Sequence, residues 1–178
     1  MSILELLGFG RGGSRGGRAG DTETVRRIVR ELESLPPEQA RYLAAFAFIL
    51  ARVANADLDI SEGETRRMEE ILREAGHLSA EQARLAVSLA KTQHRVEGGT
   101  ESFLVTREFR EIATREQCRE LLDCLFAVSA ADGSISGVEE SQIRQIASEL
   151  TLEPADLAEA RARWADKREI LRGFREAR

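Results

Sequence analysis

An acidic segment occurs twice in this chain, 75 positions apart, and no other feature constrains its architecture as much. Asp57-Leu58-Asp59-Ile60-Ser61-Glu62-Gly63-Glu64 returns as Asp132-Gly133-Ser134-Ile135-Ser136-Gly137-Val138-Glu139. Extended without a gap, residues 50–74 match residues 125–149 at nine positions: Leu50, Val53, Ala56, Asp57, Ile60, Ser61, Glu64, Ile71 and Glu74. Typical composition would give roughly two such matches by chance. Each copy reads as an apolar helix, an Asp, an Ile-Ser pair, a Glu and then a second amphipathic helix. The chain is therefore read as a domain built on a pseudo-symmetric pair of helix-loop-helix units, residues 37–95 and 114–165.

Ala, Leu, Glu and Arg dominate and only three prolines interrupt the chain, so helix is the default expectation. Asp21 is placed to cap a first helix carrying Val25, Ile28, Val29 and Leu32, which ends before Pro36-Pro37. Pro37 suits the first turn of a second helix that runs to about Asp57 and is apolar nearly all round, the mark of a helix covered on several sides. Four pairs of a hydroxyl residue followed three positions later by Glu or Gln predict capping boxes: Ser61/Glu64, Ser79/Gln82, Thr114/Gln117 and Ser136/Glu139. Gly76 is read as the end of the helix that Ser61 opens. After a loop containing Gly98-Gly99, a short helix is expected over residues 103–112. The segment Leu152-Glu153-Pro154 echoes Leu78-Ser79-Ala80 and opens a last helix bearing Leu157, Trp164, Ile170 and Phe174. With no strand pattern, the expected fold is all-α, a helical bundle of about eight helices.

A net charge of −5 argues against a general nucleic-acid surface. Cys118 and Cys124 are six residues apart on one expected helix, on different faces, and are read as reduced thiols of a reducing compartment. The longest apolar run, residues 42–51, is half the ~20 residues that a membrane helix requires. Met1 to Phe9 lacks the basic start and long apolar stretch of a secretory signal, so a cytoplasmic location is expected. Residues 1–20 read as an arm, with apolar Ile3, Leu4, Leu6, Leu7 and Phe9 tethered by a Gly/Arg stretch to the helical domain, residues 21–178.

The run Phe126-Ala-Val-Ser-Ala-Ala-Asp-Gly-Ser-Ile-Ser-Gly-Val-Glu139 resembles the Ala-Asp-Gly-x-Ile-x-x-x-Glu signature of the tellurite-resistance TerB-like family. The first copy, residues 53–64, is similar but carries Leu58 where the signature has glycine. The likeness covers roughly residues 22–165. It implies a helical bundle with two such halves, as in the N-terminal domain of a membrane-anchored DnaJ-type co-chaperone. It also implies divalent metal binding by acidic residues of the loops, but a fold more firmly than a function.

Two readings of these acidic residues stand side by side. Carboxylates at the start of a helix meet the positive end of its dipole, and Glu64 and Glu139 complete capping boxes, so capping alone accounts for them. Asp57 and Asp132 sit where a helix ends, and negative charge there calls for compensation. In the second reading Asp57, Asp59 and Glu64, or Asp132 and Glu139, hold a divalent cation, with Glu62 and Glu140 adding charge. An all-oxygen set favours Ca²⁺, Mg²⁺ or Mn²⁺ over zinc. An EF-hand calcium loop is a poor match, because the positions two and four residues before each Asp hold Ala130 and Val128, and Asn55 and Val53. His77 and His94 have no ligand at metal spacing and are read as solvent-exposed. No nucleophile motif or phosphate-binding glycine loop is present. The sequence therefore favours a non-catalytic binding or scaffold module of the stress (tellurite or metal) response, acting on an unidentified protein partner. The alternative is a metal-dependent hydrolase using the same loops.

The arm yields a first prediction. Docking of its apolar face on the domain or a partner protein competes with weak, reversible peripheral contact with an anionic membrane, to which each of Arg11, Arg15 and Arg18 would contribute about 1 kcal/mol. Deleting residues 1–20 is expected to leave the melting temperature nearly unchanged. A large fall would place the arm in the core, and unchanged liposome co-sedimentation would remove the membrane reading.

Overall fold

The computed structural model describes residues 19–53, 62–92, 99–131 and 133–165. Among the described residues there are eight helices and no strand: α1 (Ala19–Glu33), α2 (Pro37–Val53), α3 (Glu62–Glu74), α4 (Ala80–Thr92), α5 (Gly99–Ile112), α6 (Arg115–Ser129), α7 (Gly137–Glu149) and α8 (Pro154–Arg163). The expected all-α bundle is what the chain forms. No helix among the described residues is long and apolar enough to cross a membrane.

Helix α2 is the axle. Residues 43–50 are buried without interruption, which is more than two full turns and requires neighbours on every side. Those neighbours are α1, α4, α5, α6 and α7. Alanines at 40, 44, 45 and 47 let them approach closely, while Phe46, Ile49 and Leu50 fill the space between. On the α5 side, Tyr42, Phe46 and Phe109 form an aromatic trio with ring centroids 5.1–6.2 Å apart. Burial raises the Tyr42 phenol well above its ordinary range.

The packing follows the repeat. Helix α2 lies against α4 as α6 lies against α8, and the contact of α2 with α7 is answered by that of α6 with α3. The contact of α2 with α6 maps onto itself under this exchange. Helix α5 has no counterpart and wedges against α2 and α7, closing the bundle between the halves.

Two local expectations shift and two fall outside the described residues. Helix α1 starts at Ala19, so Asp21 lies inside the first turn rather than ahead of it. Helix α2 ends at Val53 among the described residues, and its expected extension to Asp57 lies outside them. Helix α5 begins at Gly99, four residues before the expected start. Ile170 and Phe174 lie outside the described residues, and the described part of α8 ends at Arg163.

The end of α3 also differs from expectation. The left-handed residue after α3 is His77 (φ 49°), not Gly76. In the second unit the equivalent is Thr151 (φ 55°), which closes a Schellman motif through Leu152 N–H to Ala147 O (3.0 Å) and Thr151 N–H to Ser148 O (3.0 Å). In the first unit the closing bond, Leu78 N–H to Leu72 O (3.2 Å), spans one residue more. Gly76 supplies that residue: a Cβ there would stand 2.7 Å from Leu72 O and 3.0 Å from Cys124 Sγ. Glycine is thus required first by the Leu72 carbonyl at the end of α3 and then by the approach of Cys124 on α6, and the register between the copies slips from 75 to 74.

One polar network crosses the core. The Arg52 guanidinium, at the end of α2, donates to both Glu149 oxygens on α7 (2.8 and 3.3 Å) and to Thr106 Oγ1 on α5 (2.7 Å). Gln145 Nε2 donates to Glu149 Oε1 (2.9 Å). The Arg52 and Glu149 side chains are only 15% and 8% exposed, so the pair is bidentate and largely dry. Desolvation pushes the Glu149 carboxyl up, but hydrogen bonds from Arg52, Thr106 and Gln145 with the Arg52 charge outweigh it and hold the group below the usual carboxylate range.

This shift has a definite sign. The unfolded carboxyl takes its proton first, near the ordinary ~4.3, so the stabilisation is complete above that value and is lost as pH falls through the folded-state pKa. Glu149→Gln is expected to cost about 1–3 kcal/mol at neutral pH. In melting curves from pH 7 to pH 3, the gap between the native chain and the variant should close below about pH 4. A gap independent of pH would contradict the ionised pair.

Candidate functional site

The second acidic loop is built from apolar pins and a cap. Helix α6 runs out in two tight turns, with Ala131 N–H bonded to Val128 O (3.1 Å) and Gly133 N–H to Ala130 O (3.0 Å). Gly133 sits at φ 105°, where a side chain would be strained. Ala130 and Ile135 are buried on either side of the turn, so Ile135 anchors this loop to the core; its counterpart Ile60 lies outside the described residues. Ser136 is the N-cap of α7. Its Oγ accepts from Glu139 N–H (3.2 Å), and its own N–H donates to Glu139 Oε2 (2.8 Å). The predicted capping box is present, as are those at Ser79/Gln82 and Thr114/Gln117. The Ser61/Glu64 box cannot be placed in the same way, since Ser61 and the Glu64 side chain lie outside the described residues.

Of the five acidic residues read as cation ligands, Glu139 alone has a described side chain, and one of its oxygens serves the cap. Asp57, Asp59 and Asp132 lie outside the described residues, and Glu64 is placed only as a backbone position in α3. Among the described residues no three His, Cys, Asp or Glu side chains converge as metal ligands. A cation would therefore need the loop aspartates, completed by water, as expected of a hard ion with few protein carboxylates.

Glu140 is not a spare charge. It is 2% exposed and makes an ion pair with Arg161 of α8, with Arg144 at 3.9 Å. The partner comes from 21 residues downstream, so no local pattern announced it. In the first unit the matching position is Thr65, whose Oγ1 lies 3.0 Å from Lys91 Nζ on α4.

A second polar cluster went unrecognised in the sequence. Helices α6 and α8 and the α3–α4 connection enclose a groove of about 320 Å³ lined by His77, Glu116, Arg119, Glu120, Asp123, Asp156, Glu159 and Arg163 among others. Arg115 and Arg119 hold Asp156 (3.1 and 2.8 Å), and Arg163 grips both oxygens of Asp123 (2.7 and 2.9 Å). His77, 70% exposed as expected, places Nε2 3.7 Å from Glu120 Oε1. Desolvation raises the Glu120 carboxyl, opposed by the charge of His77. These pairs join α6 to α8 and to the α3–α4 connection, and their spacings of about 40 residues hide them from periodicity. His94 lies outside the described residues.

Burial keeps both thiols protonated at neutral pH. Cys118 and Cys124 are free and buried, as expected of reduced cysteines, and burial pushes Cys118 to about 11 and Cys124 higher still.

These features define a class: an all-α bundle whose two halves share a sequence repeat and pack in matching ways around one central helix. The family described as tellurite resistance protein TerB matches residues 42–162, about two thirds of the chain and both loops. The chain belongs to the TerB family. No curated protein and no solved structure matches it.

The cap gives a separable prediction. Ser136→Ala removes an acceptor for Glu139 N–H and should cost about 0.5–2 kcal/mol in urea unfolding, whether or not a cation is added. A loss of stability seen only when divalent ions are present would mean that the hydroxyl serves the ion rather than the helix.

Proposed function

We propose that this TerB-family chain is a non-catalytic binding or scaffold module of the tellurite or metal stress response. In this reading it takes a divalent cation weakly at its acidic loops and acts through a protein partner, with residues 1–20 as a localising arm. One observation carries it: three of the described carboxylates around the loops already have structural work, while Glu62 is exposed beside Arg66. Glu139 caps α7, Glu140 neutralises Arg161 and Glu149 joins Arg52. What is left for a ligand is the loop aspartates with Glu64 and the second oxygen of Glu139, with Glu62 adding charge. That set of hard oxygens suits Mg²⁺, Ca²⁺ or Mn²⁺ with several positions left to water.

Calorimetry with each ion tests this. The native chain should give heat only at millimolar ion, and the double variant Asp57→Asn/Asp132→Asn should give none. Silence in the native chain leaves capping as the whole role of these residues. Ion-dependent ester or phosphoester hydrolysis that disappears in the same double variant would instead make the chain a metal-dependent hydrolase.

A further inference from the structure

The connection between α3 and α4 turns on His77, a residue with a side chain at a backbone angle (φ 49°) that glycine adopts most easily. That side chain lines the groove between α6 and α8, and its Nε2 stands 3.7 Å from Glu120 Oε1 on α6. The two partners differ in surroundings: the His77 side chain is 70% exposed and that of Glu120 only 19%. The contact therefore matters mainly to the carboxylate, which has given up most of its water.

Charge around Glu120 is lopsided. Glu116, Arg119 and Asp123 flank it on α6, and Asp156, Glu159 and Arg163 face the same groove from α8. Tyr42 of α2 feels its charge but keeps its proton at any ordinary pH. Arg119 is taken up by Asp156, and Arg163 by Asp123 and Glu159. Among the described residues, His77 is the one cationic group that pairs with Glu120. Burial raises the Glu120 carboxyl most, the charge of His77 opposes it, and Glu116 and Asp123 add to the rise. The fold itself does not need this charge. In the second unit the left-handed position is Thr151, and the 75-residue register sets Glu120 against Ala45. Neither of those side chains can ionise.

We propose that His77 and Glu120 form a pH-sensitive latch, which fastens the α3–α4 connection to α6 when His77 is protonated and loosens it when the imidazole is neutral. The sign follows from the charges. A histidine ordinarily gives up its proton near about 6.5, so the attraction is present below that value and fades as pH rises through it. Above it, Glu120 keeps its charge beside Glu116 and Asp123 in a place short of water, and lifting the connection rehydrates it. In stronger acid, protonation of Glu120 ends the pairing from the other side. Because His77 lines the groove, the latch ties access to the groove to pH.

Backbone amide exchange on the full chain tests this, with a control built into the repeat. Leu78 N–H closes the connection on Leu72 O, and Leu152 N–H closes the equivalent turn on Ala147 O. Protection is compared at about pH 5.5 and about pH 8, after correction for intrinsic exchange rates. Leu78 protection should fall about two- to fivefold, the range expected of an ion pair with one exposed partner, while Leu152 protection holds. Glu120→Gln should flatten the Leu78 profile. So should His77→Asn, since asparagine tolerates the left-handed backbone. A native Leu78 profile that is flat, one that Leu152 shares, or one that survives in Glu120→Gln overturns the latch.

Discussion

Everything in this fold depends on enclosing α2. Eight consecutive buried residues, 43–50, leave that helix no face for water, so it must be surrounded by others. A lone helix-loop-helix unit does not surround its own first helix, because within the unit α2 packs mainly against α4. The second unit supplies the missing cover through α6 and α7, and α5 closes the remaining gap. Duplication is thus a packing solution. The two α2-type helices meet at the centre, and each is covered partly by its own unit and partly by its mate.

Burying that seam brings charge inside, and the molecule answers each charge nearby. Arg52 leaves the end of α2 and meets Glu149 and Thr106, so the three helices α2, α7 and α5 meet at one guanidinium. Glu140 meets Arg161 at the start of α7. Breaking such pairs strands a charge in a dry place, which makes them register marks for the bundle more than sources of net stability. The exposed arginine pairs on α6 and α8, with Asp123 and Asp156, lie in water and contribute correspondingly less.

The fold was legible because its signals are local. The duplicated Ile-Ser-x-x-Glu pattern encodes an apolar pin and a capping box within five residues, and Ile135, Ser136 and Glu139 do just that. Pro37 and Pro154 mark first turns, and the two cysteines fall buried and apart. What could not be read depends on long-range approach. Gly76 was legible as the residue that follows the end of α3, but its close approach to the Leu72 carbonyl and to Cys124, 48 residues on, was not. Glu140 looked like a loop charge and is Arg161's partner, and Glu149 gave no sign of Arg52 across 97 residues. The acidic loops were found by repetition, but repetition fixes only the types of residue present. Whether their carboxylates hold helix ends or a metal depends on groups that the rest of the fold delivers.

If α2 is the shared centre of both halves, the halves cannot open independently. Amide hydrogen exchange resolved along the chain measures this directly. The account predicts that residues 43–50 of α2 and the core of α6 (residues 121–126) share the slowest exchange, both opening only with global unfolding. Slow exchange in α6, α7 and α8 with α2 exchanging orders of magnitude faster, or the reverse, would show two separately folding units and contradict the shared core.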